Sequence, residues 1–415
     1  MDAVTPAGGP PLLMMDRRRF LAVPGAMACA AALPSVALGQ TSAIHPSRNL
    51  VAIGGTCRQL GTQTLADFLR SVRSRLPEGL EAANSRLKPA HGILAFCGAT
   101  IWRDRYSLGI AGGHGDSHDD GHYAQNLATG QWELLLGPSA IASASAVADA
   151  FGEWLPNRPA SQHSYNHLVT IDDDIVQGVG YAIANAAGGS PQAHRWVGSA
   201  GAWQRYGTGG NFRPVPHTVL HDPVRDRLVR FAHENGRTVD VIPDADAGAS
   251  WQTIATPWWP AISIQASIGY HADLDCFVMI DETTAVDQAW VMDAGTLERG
   301  WRRVSVSGTA PAGAPNTGLE YVPPIKSFAA AALSEPSTLY YLAPTGEQMD
   351  PWVWTRERFL GGALAARWEV NPGVPIAPYG RVKWSSLLSG LVIVKSALVP
   401  TEVFMPAAAI AAPRR

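Results

Sequence analysis

A tryptophan followed by a short strand-like run recurs along the chain: GQWELL at Trp132, GAWQRY at Trp203, ASWQTI at Trp251, RGWRRV at Trp301 and ARWEV at Trp368. The separations are 71, 48, 50 and 67 residues, so two are near the length of one four-stranded unit and two carry insertions. The Ala-rich SAIASASAVADAFGEWL reads as a helical insertion, and the stretch around FLGGALA as a second one. A second element opens the units with a strand, a turn and another strand, the turn being Asp-centred in the first three: HSYNHLVTIDDDIVQG, HTVLHDPVRDRLVRF, ASIGYHADLDCFVMI and GRVKWSSLLSGLVIV. A lone unit of this kind cannot bury both of its faces, so radial stacking around an axis satisfies the pattern.

The turn-rich composition agrees with this. Charged residues make up 16% of the 415, while 41 glycines and 31 prolines punctuate a chain that is 46% hydrophobic. A net charge of −3 argues against a polyanion-binding surface overall, so nucleic acid is not expected as a partner, while a local basic pocket stays open.

The N-terminal MDRRRFLAVPGAMACAAALPSVALGQ carries Arg17 and Arg18 ahead of Phe20-Leu21, then an apolar stretch to Leu38. It resembles a twin-arginine export signal over residues 1–39, with Met14 or Met15 as the start, and implies a periplasmic or secreted protein that leaves the membrane once the signal is cut. Residues 40–92 read as an N-terminal segment with one helix, because Leu65, Phe68, Leu69, Val72 and Leu76 fall at helical spacing. That helix is expected outside the main body. Residues 93–415 form the repeat domain. Cys57, Cys97 and Cys276 remain after the signal, too few for a disulfide framework and without zinc-ribbon spacing, so they read as buried free thiols.

The stretch AGGHGD…HYAQNLATGQWELL has two glycines after a second strand and an aromatic before the fourth, the layout of the kelch class of β-propellers, which the chain resembles from about Ile93 to Pro406. The resemblance implies an all-β propeller of six or seven four-stranded blades with a short N-terminal helical segment. Six units are countable. The last lacks its closing strand, which NLVAIGG near residue 50 supplies if the ring closes through the N-terminus; a seventh blade would fall in residues 45 to 95.

In such a ring, the loop after the second strand and the start of the first strand share one face. By register, Tyr165, His217 and Arg381 take comparable inner-strand positions, with His163 and Lys383 close by, as substrate-contacting candidates around an axial funnel. His114, His118 and His122 recur every four residues, but Gly112, Gly113, Gly115 and Gly121 argue against the helix that would gather them on one metal, and no metal set is assigned. His114 is expected to turn inward at its Gly-flanked bend, and His118 and His122 to face solvent.

GGHGD followed by RPASQHSYNHL also resembles exported bacterial propellers that include the propeller-type ulvan lyases. That resemblance implies a His and a Tyr for proton transfer and an Arg that neutralises a uronate: His114 by motif, Tyr181 and Arg195 by blade position, with His163 as a second catalytic His. The expected function is β-elimination on a uronate-containing polysaccharide or oligosaccharide, a reaction in which a cation offsets the carboxylate while a proton leaves the carbon next to it. The alternatives are a noncatalytic propeller presenting Trp258, Trp259 and Tyr270 to a glycan or protein, and a metal-dependent enzyme such as a copper oxidase with Cys97 near its site. The cofactor is left open.

Overall fold

The strand–turn–strand stretches fold as antiparallel hairpins, each turning through a residue in the left-handed region: Arg103, Asp172, Asp226, Asp275, Lys326 and Ser389, with φ between 47° and 54°. Aspartate tolerates this conformation through local hydrogen bonding, which accounts for its recurrence at three of the six turns. The structure, a computed structural model, describes residues 51–52, 55–72, 75, 93–94, 97–110, 119–139, 149, 151–178, 192–209, 217–232, 238–246, 250–257, 266–281, 288–311, 318–358, 368–371, 374–375 and 377–407. The export segment and the loops carrying His114, His118, Tyr181, Trp258 and Trp259 lie outside the described residues.

The chain begins with β1 (Val51–Ala52), β2 (Thr56–Gln59) and α1 (Leu65–Ser71). Sheet one is β3 (Ala99–Trp102), β4 (Arg105–Leu108), β5 (His122–Asn126) and β6 (Trp132–Leu136). A hairpin of β7 (Glu153–Leu155) and β8 (Arg158–Pro159) leads to sheet two: β9 (Leu168–Ile171), β10 (Asp174–Gln177), β11 (Ala193–Val197) and β12 (Ala202–Gly207). Sheet three is β13 (His217–Asp222), β14 (Arg227–Ala232), β15 (Thr238–Ile242) and β16 (Gln252–Ala255). Sheet four is β17 (Ser267–His271), β18 (Cys276–Ile280), β19 (Gln288–Asp293) and β20 (Arg302–Gly308). Sheet five is β21 (Glu320–Val322), β22 (Ser327–Ala331), β23 (Thr338–Pro344) and β24 (Trp352–Arg358), against whose outer edge β20 and β1 pair in parallel. After a short hairpin, β25 (Glu369–Asn371) and β26 (Val374–Pro375), sheet six is β27 (Val382–Ser385), β28 (Gly390–Ile393) and β29 (Glu402–Met405), with β2 as its fourth strand.

The first strands touch in sequence, β3 to β9 to β13 to β17 to β21 to β27, and β27 returns to β3. A closed cycle of meanders with their first strands innermost is a β-propeller. Packing between its sheets explains why the strands read as continuous apolar runs. In β18, Cys276, Val278 and Ile280 pack with Phe328 and Trp352 of sheet five, while Phe277 and Met279 pack with Val229 and Phe231 of sheet three. Side chains alternate across a strand, so burial on both faces leaves no polar alternation to see.

Four sequence expectations about these elements need correction. The ring does close through the N-terminus, but Thr56–Gln59 pairs with β29, whereas Val51–Ala52 of NLVAIGG lies on the outside of sheet five. The fifth closing tryptophan is Trp352, 51 residues after Trp301, and Trp368 lies beyond the sheet, so the regular spacing extends one unit further than a count ending at Trp368 implies. Helix α1 is not outside the body. A capping box of Thr64 and Asp67 starts it, and Leu65, Phe68, Leu69 and Val72 are buried against Leu94, Trp132, Val392 and Ala397, where sheets one and six meet. Each such side chain contributes about 1.5–3 kcal/mol on burial, so the helix braces the seam. Finally, the GEWL end of the Ala-rich insertion is strand β7 rather than helix, while residues 140–148 of that insertion lie outside the described residues. Cys57, Cys97 and Cys276 are free thiols; Cys97 and Cys276 are buried, whereas Cys57, on the outermost strand of sheet six, is half-buried rather than buried.

Candidate functional site

The face where the inner strands begin also carries the loops between second and third strands; we call it the loop face. Side chains from all six sheets, among them Thr100, Thr170, Leu220, Tyr270, Tyr321 and Lys383, line an axial channel of about 330 Å³. Asn166 lines it too and is bridged to Thr218 of the neighbouring inner strand. The residues just before it, in SQHSYNH, therefore lie at the loop-face end of β9, next to the channel lining.

That turn is tightly held. Ser164 Oγ accepts from Gly98 N at 3.1 Å, and a Cβ on Gly98 would collide with the Tyr165 carbonyl, so this approach needs glycine. Tyr165 itself has φ 26°, a conformation uncommon for a bulky residue and a mark of a turn imposed by its surroundings. His163 Nδ1 and the Tyr165 hydroxyl are hydrogen-bonded at 2.7 Å. The Tyr165 ring meets His167 at 5.7 Å and Tyr379 at 5.1 Å between centroids. His163 and His167 are buried and Tyr165 is half-buried. Burial pushes the Tyr165 phenol above its ordinary range, with Tyr379 adding to the effect, so the hydroxyl is held in its neutral form.

Beside this turn, Gln177 donates from Nε2 to Ile110 O at 3.1 Å and accepts from Ile110 N at 2.9 Å. The clamp joins the ends of β4 and β10, the two strands after which His114 and Tyr181 follow in sequence.

The other sequence candidates separate. Arg381 is fully buried, and among the described residues its guanidinium donates only to backbone carbonyls: Ala377 at 3.0 Å, Pro378 at 3.3 Å, and Val394 and Lys395 at 3.2 Å each. Trp368 covers it at 5.2 Å. Burial lowers its pKa, opposed by Tyr106, Cys97 and Tyr379. It is a cation without a carboxylate partner among the described residues, and it fixes the turn that carries Tyr379; it does not reach solvent as a substrate contact would. Lys383 lies in the channel but is paired to Glu320 at 3.0 Å, whose other oxygen accepts from Trp384 N. Arg195 on β11 is committed to Asp174 at 2.6 Å and to the Asp246 carbonyl at 2.6 Å. Those partners belong to the opposite face, where first and second strands join, so Arg195 is not brought to the loop face. His217 opens β13, and its side chain lies outside the described residues.

His122, expected to face solvent, is wholly buried as the first residue of β5. Its Nε2 is hydrogen-bonded to Ser107 Oγ at 2.7 Å, and its ring packs against Trp196 and Trp203. Burial, helped by Arg158, lowers its pKa to about 3, so the imidazole is neutral. The end of the Asp-rich loop is likewise internal: Asp119 accepts from the Tyr123 hydroxyl at 2.7 Å, and Asp120 pairs with Arg158 at 3.0 Å. Among the described residues no cluster of His, Cys, Asp and Glu could hold a metal, and no helix is long and apolar enough to cross a membrane.

Sequence reasoning did not single out His167 or Tyr379. His167 belongs to the same SYNHL stretch as Tyr165; the only signal for Tyr379 is its place two residues before Arg381.

No family model matches the chain, and no curated protein matches it. Solved structures with similarity include "Structure of YjhT", 10% identical, with 74% of this chain and 93% of that chain covered and a TM-score of 0.44. A calcium-binding protein, regucalcin, from Agrobacterium tumefaciens strain C58 is 9% identical over 75% of this chain and 89% of that one, with a TM-score of 0.42. A chain of a mitotic checkpoint complex is 11% identical over 90% and 99%, with a TM-score of 0.42. The propeller assignment rests on the closed ring of inner strands.

Proposed function

We propose that the chain is an exported six-bladed propeller of the kelch type that takes a uronate-containing polysaccharide at the channel mouth on its loop face and cleaves it by β-elimination. The observation that carries this reading is the 2.7 Å hydrogen bond between His163 Nδ1 and the half-buried Tyr165 hydroxyl. In this reaction Tyr165 passes its proton to His163, and the phenolate takes the proton from the carbon next to the carboxylate. The bond to the glycosidic oxygen on the next carbon breaks as the double bond forms, the phenol protonates the leaving oxygen, and His163 returns its proton. Because burial disfavours an isolated phenolate, the imidazolium beside it is what makes the charged form accessible. In this reading Arg195 and Arg381 are committed elsewhere, and the cation that offsets the substrate carboxylate is the imidazolium of His114, assigned by its motif alone. Export follows the twin-arginine route through Arg17 and Arg18.

Incubating the mature chain with uronate polymers and following ultraviolet absorbance of unsaturated products tests the reading. Activity lost in Tyr165→Phe supports it; no product from any such polymer overturns it. The engagement of both arginines favours a second reading, a propeller that binds the glycan without cleaving it. Retained polymer binding with no product separates the two.

A further inference from the structure

At the outer edge of sheet five, a cavity of about 440 Å³ opens between the turn joining β22 to β23 and the end of β24. It is lined by Arg356 and Arg358 together with Ser334, Ser337 and Thr338, and Glu335 is the one acidic group in the lining. The two arginines are two residues apart on one strand and so project from the same face of the sheet, opposite Tyr340 and Thr338 of β23. Arg358 is exposed and Arg356 half-buried. The Tyr340 side chain is fully buried, and its hydroxyl lies against Glu335 and Arg356 yet makes no hydrogen bond of ordinary length. The hydroxyl therefore lies between one carboxylate and one guanidinium of the cavity lining.

We infer that this cavity is a binding site for an oxyanion, with Arg356 and Arg358 supplying charge and paired donors and the Tyr340 and Thr338 hydroxyls completing its hydrogen bonds. The carboxylate or sulfate ester of an acidic sugar has this chemistry. The turn at residues 334–337 lies on the loop face, and Lys395 Nζ donates to the Pro336 carbonyl at 2.6 Å while the Lys395 carbonyl accepts from Arg381. The cavity is thus tied through sheet six to the turn that carries Tyr379 against Tyr165. A polyanionic chain seated at the channel mouth can place a second acidic group here. The site goes beyond the proposed reaction and does not require it.

Isothermal titration of the mature chain with inorganic sulfate, and separately with a glucuronate oligosaccharide, tests this without any turnover. Saturable sulfate binding at one site per chain is expected, weakened at least tenfold by Arg358→Gln and by Arg356→Gln, and several-fold by Tyr340→Phe. Arg70→Gln, on exposed helix surface, leaves it unchanged. Arg358→Gln replaces an exposed side chain and keeps the melting temperature, so it decides the matter even if Arg356→Gln unfolds. Equal sulfate affinity in wild type and Arg358→Gln, or no saturable binding, overturns the inference. A chain that binds sulfate in this way yet cleaves no uronate polymer refutes the lyase reading alone.

Discussion

His163 and Tyr165 stand two residues apart on one turn, their side chains joined Nδ1 to hydroxyl at 2.7 Å. Groups that move one proton as a unit are not additive when removed. His163→Ala and Tyr165→Phe are each expected to lower kcat about a hundredfold with little change in KM, and the double variant to be no worse than either single one. Steady-state kinetics of the three variants checks this; multiplied effects in the double variant would mean that the two residues act separately.

Arg381 is expected to matter for stability through its carbonyl partners. Arg381→Met leaves the carbonyls of Ala377, Val394 and Lys395 without their donor and is expected to cost about 3 kcal/mol. Arg381→Lys restores part of that. Denaturant midpoints at constant slope measure both; an Arg381→Met midpoint equal to that of the wild type would show that these bonds do not hold the turn.

Acid sensitivity should trace to His122. Its folded pKa of about 3 lies below the ordinary 6.5, so between those values the unfolded chain carries a proton that the folded chain does not. Stability therefore falls as pH drops from 6.5 toward 3, by up to about 1.4 kcal/mol per unit for this group. Asp119 acts oppositely: burial raises it to about 6, so its protonated form adds stability as pH falls from 6 toward 3.8. His122→Gln is expected to flatten the acid-side slope in chemical denaturation across pH 4 to 7. An unchanged slope would place the titrating group elsewhere.

How much of this the sequence disclosed depended on whether a pattern was local. The tryptophan recurrence and the Asp turns are set within a few residues, so the repeat, the hairpins and the N-terminal closure were legible. Closure missed its strand by a few positions because Thr56–Gln59 reads as a polar edge, while the more apolar NLVAIGG looked the better strand. The site was harder. Tyr165 and His163 were visible as types in SQHSYNH, but Arg381 and Lys383 sit near them in register and are consumed by carbonyls and by Glu320, which no one-dimensional pattern reveals. His122 looked solvated because its neighbours are Asp and Gly; tryptophans more than seventy residues away bury it.

Closure through β2 predicts a length effect. Removing residues 1–45 should leave one cooperative unfolding transition, whereas removing residues 1–59 takes the fourth strand from sheet six and should lower the melting temperature by several degrees or more. Calorimetry on the two truncations checks this, and equal melting temperatures would contradict β2 as the ring's clasp.

Export through the twin arginines predicts that replacing Arg17 and Arg18 together with Lys leaves full-length precursor in the cytoplasm. Cell fractionation with immunoblotting reads this out. Normal appearance of mature protein outside the inner membrane would contradict the assignment of the signal.

The central claim is that the His163–Tyr165 pair carries out β-elimination at the channel mouth. Proton NMR of a uronate oligosaccharide incubated with the mature chain tests it most directly, because the reaction creates a vinylic proton that hydrolysis does not. The account predicts that this signal grows with wild-type protein and falls about a hundredfold in rate with Tyr165→Phe. Cleavage without a vinylic signal, or equal rates for wild type and Tyr165→Phe, would contradict it.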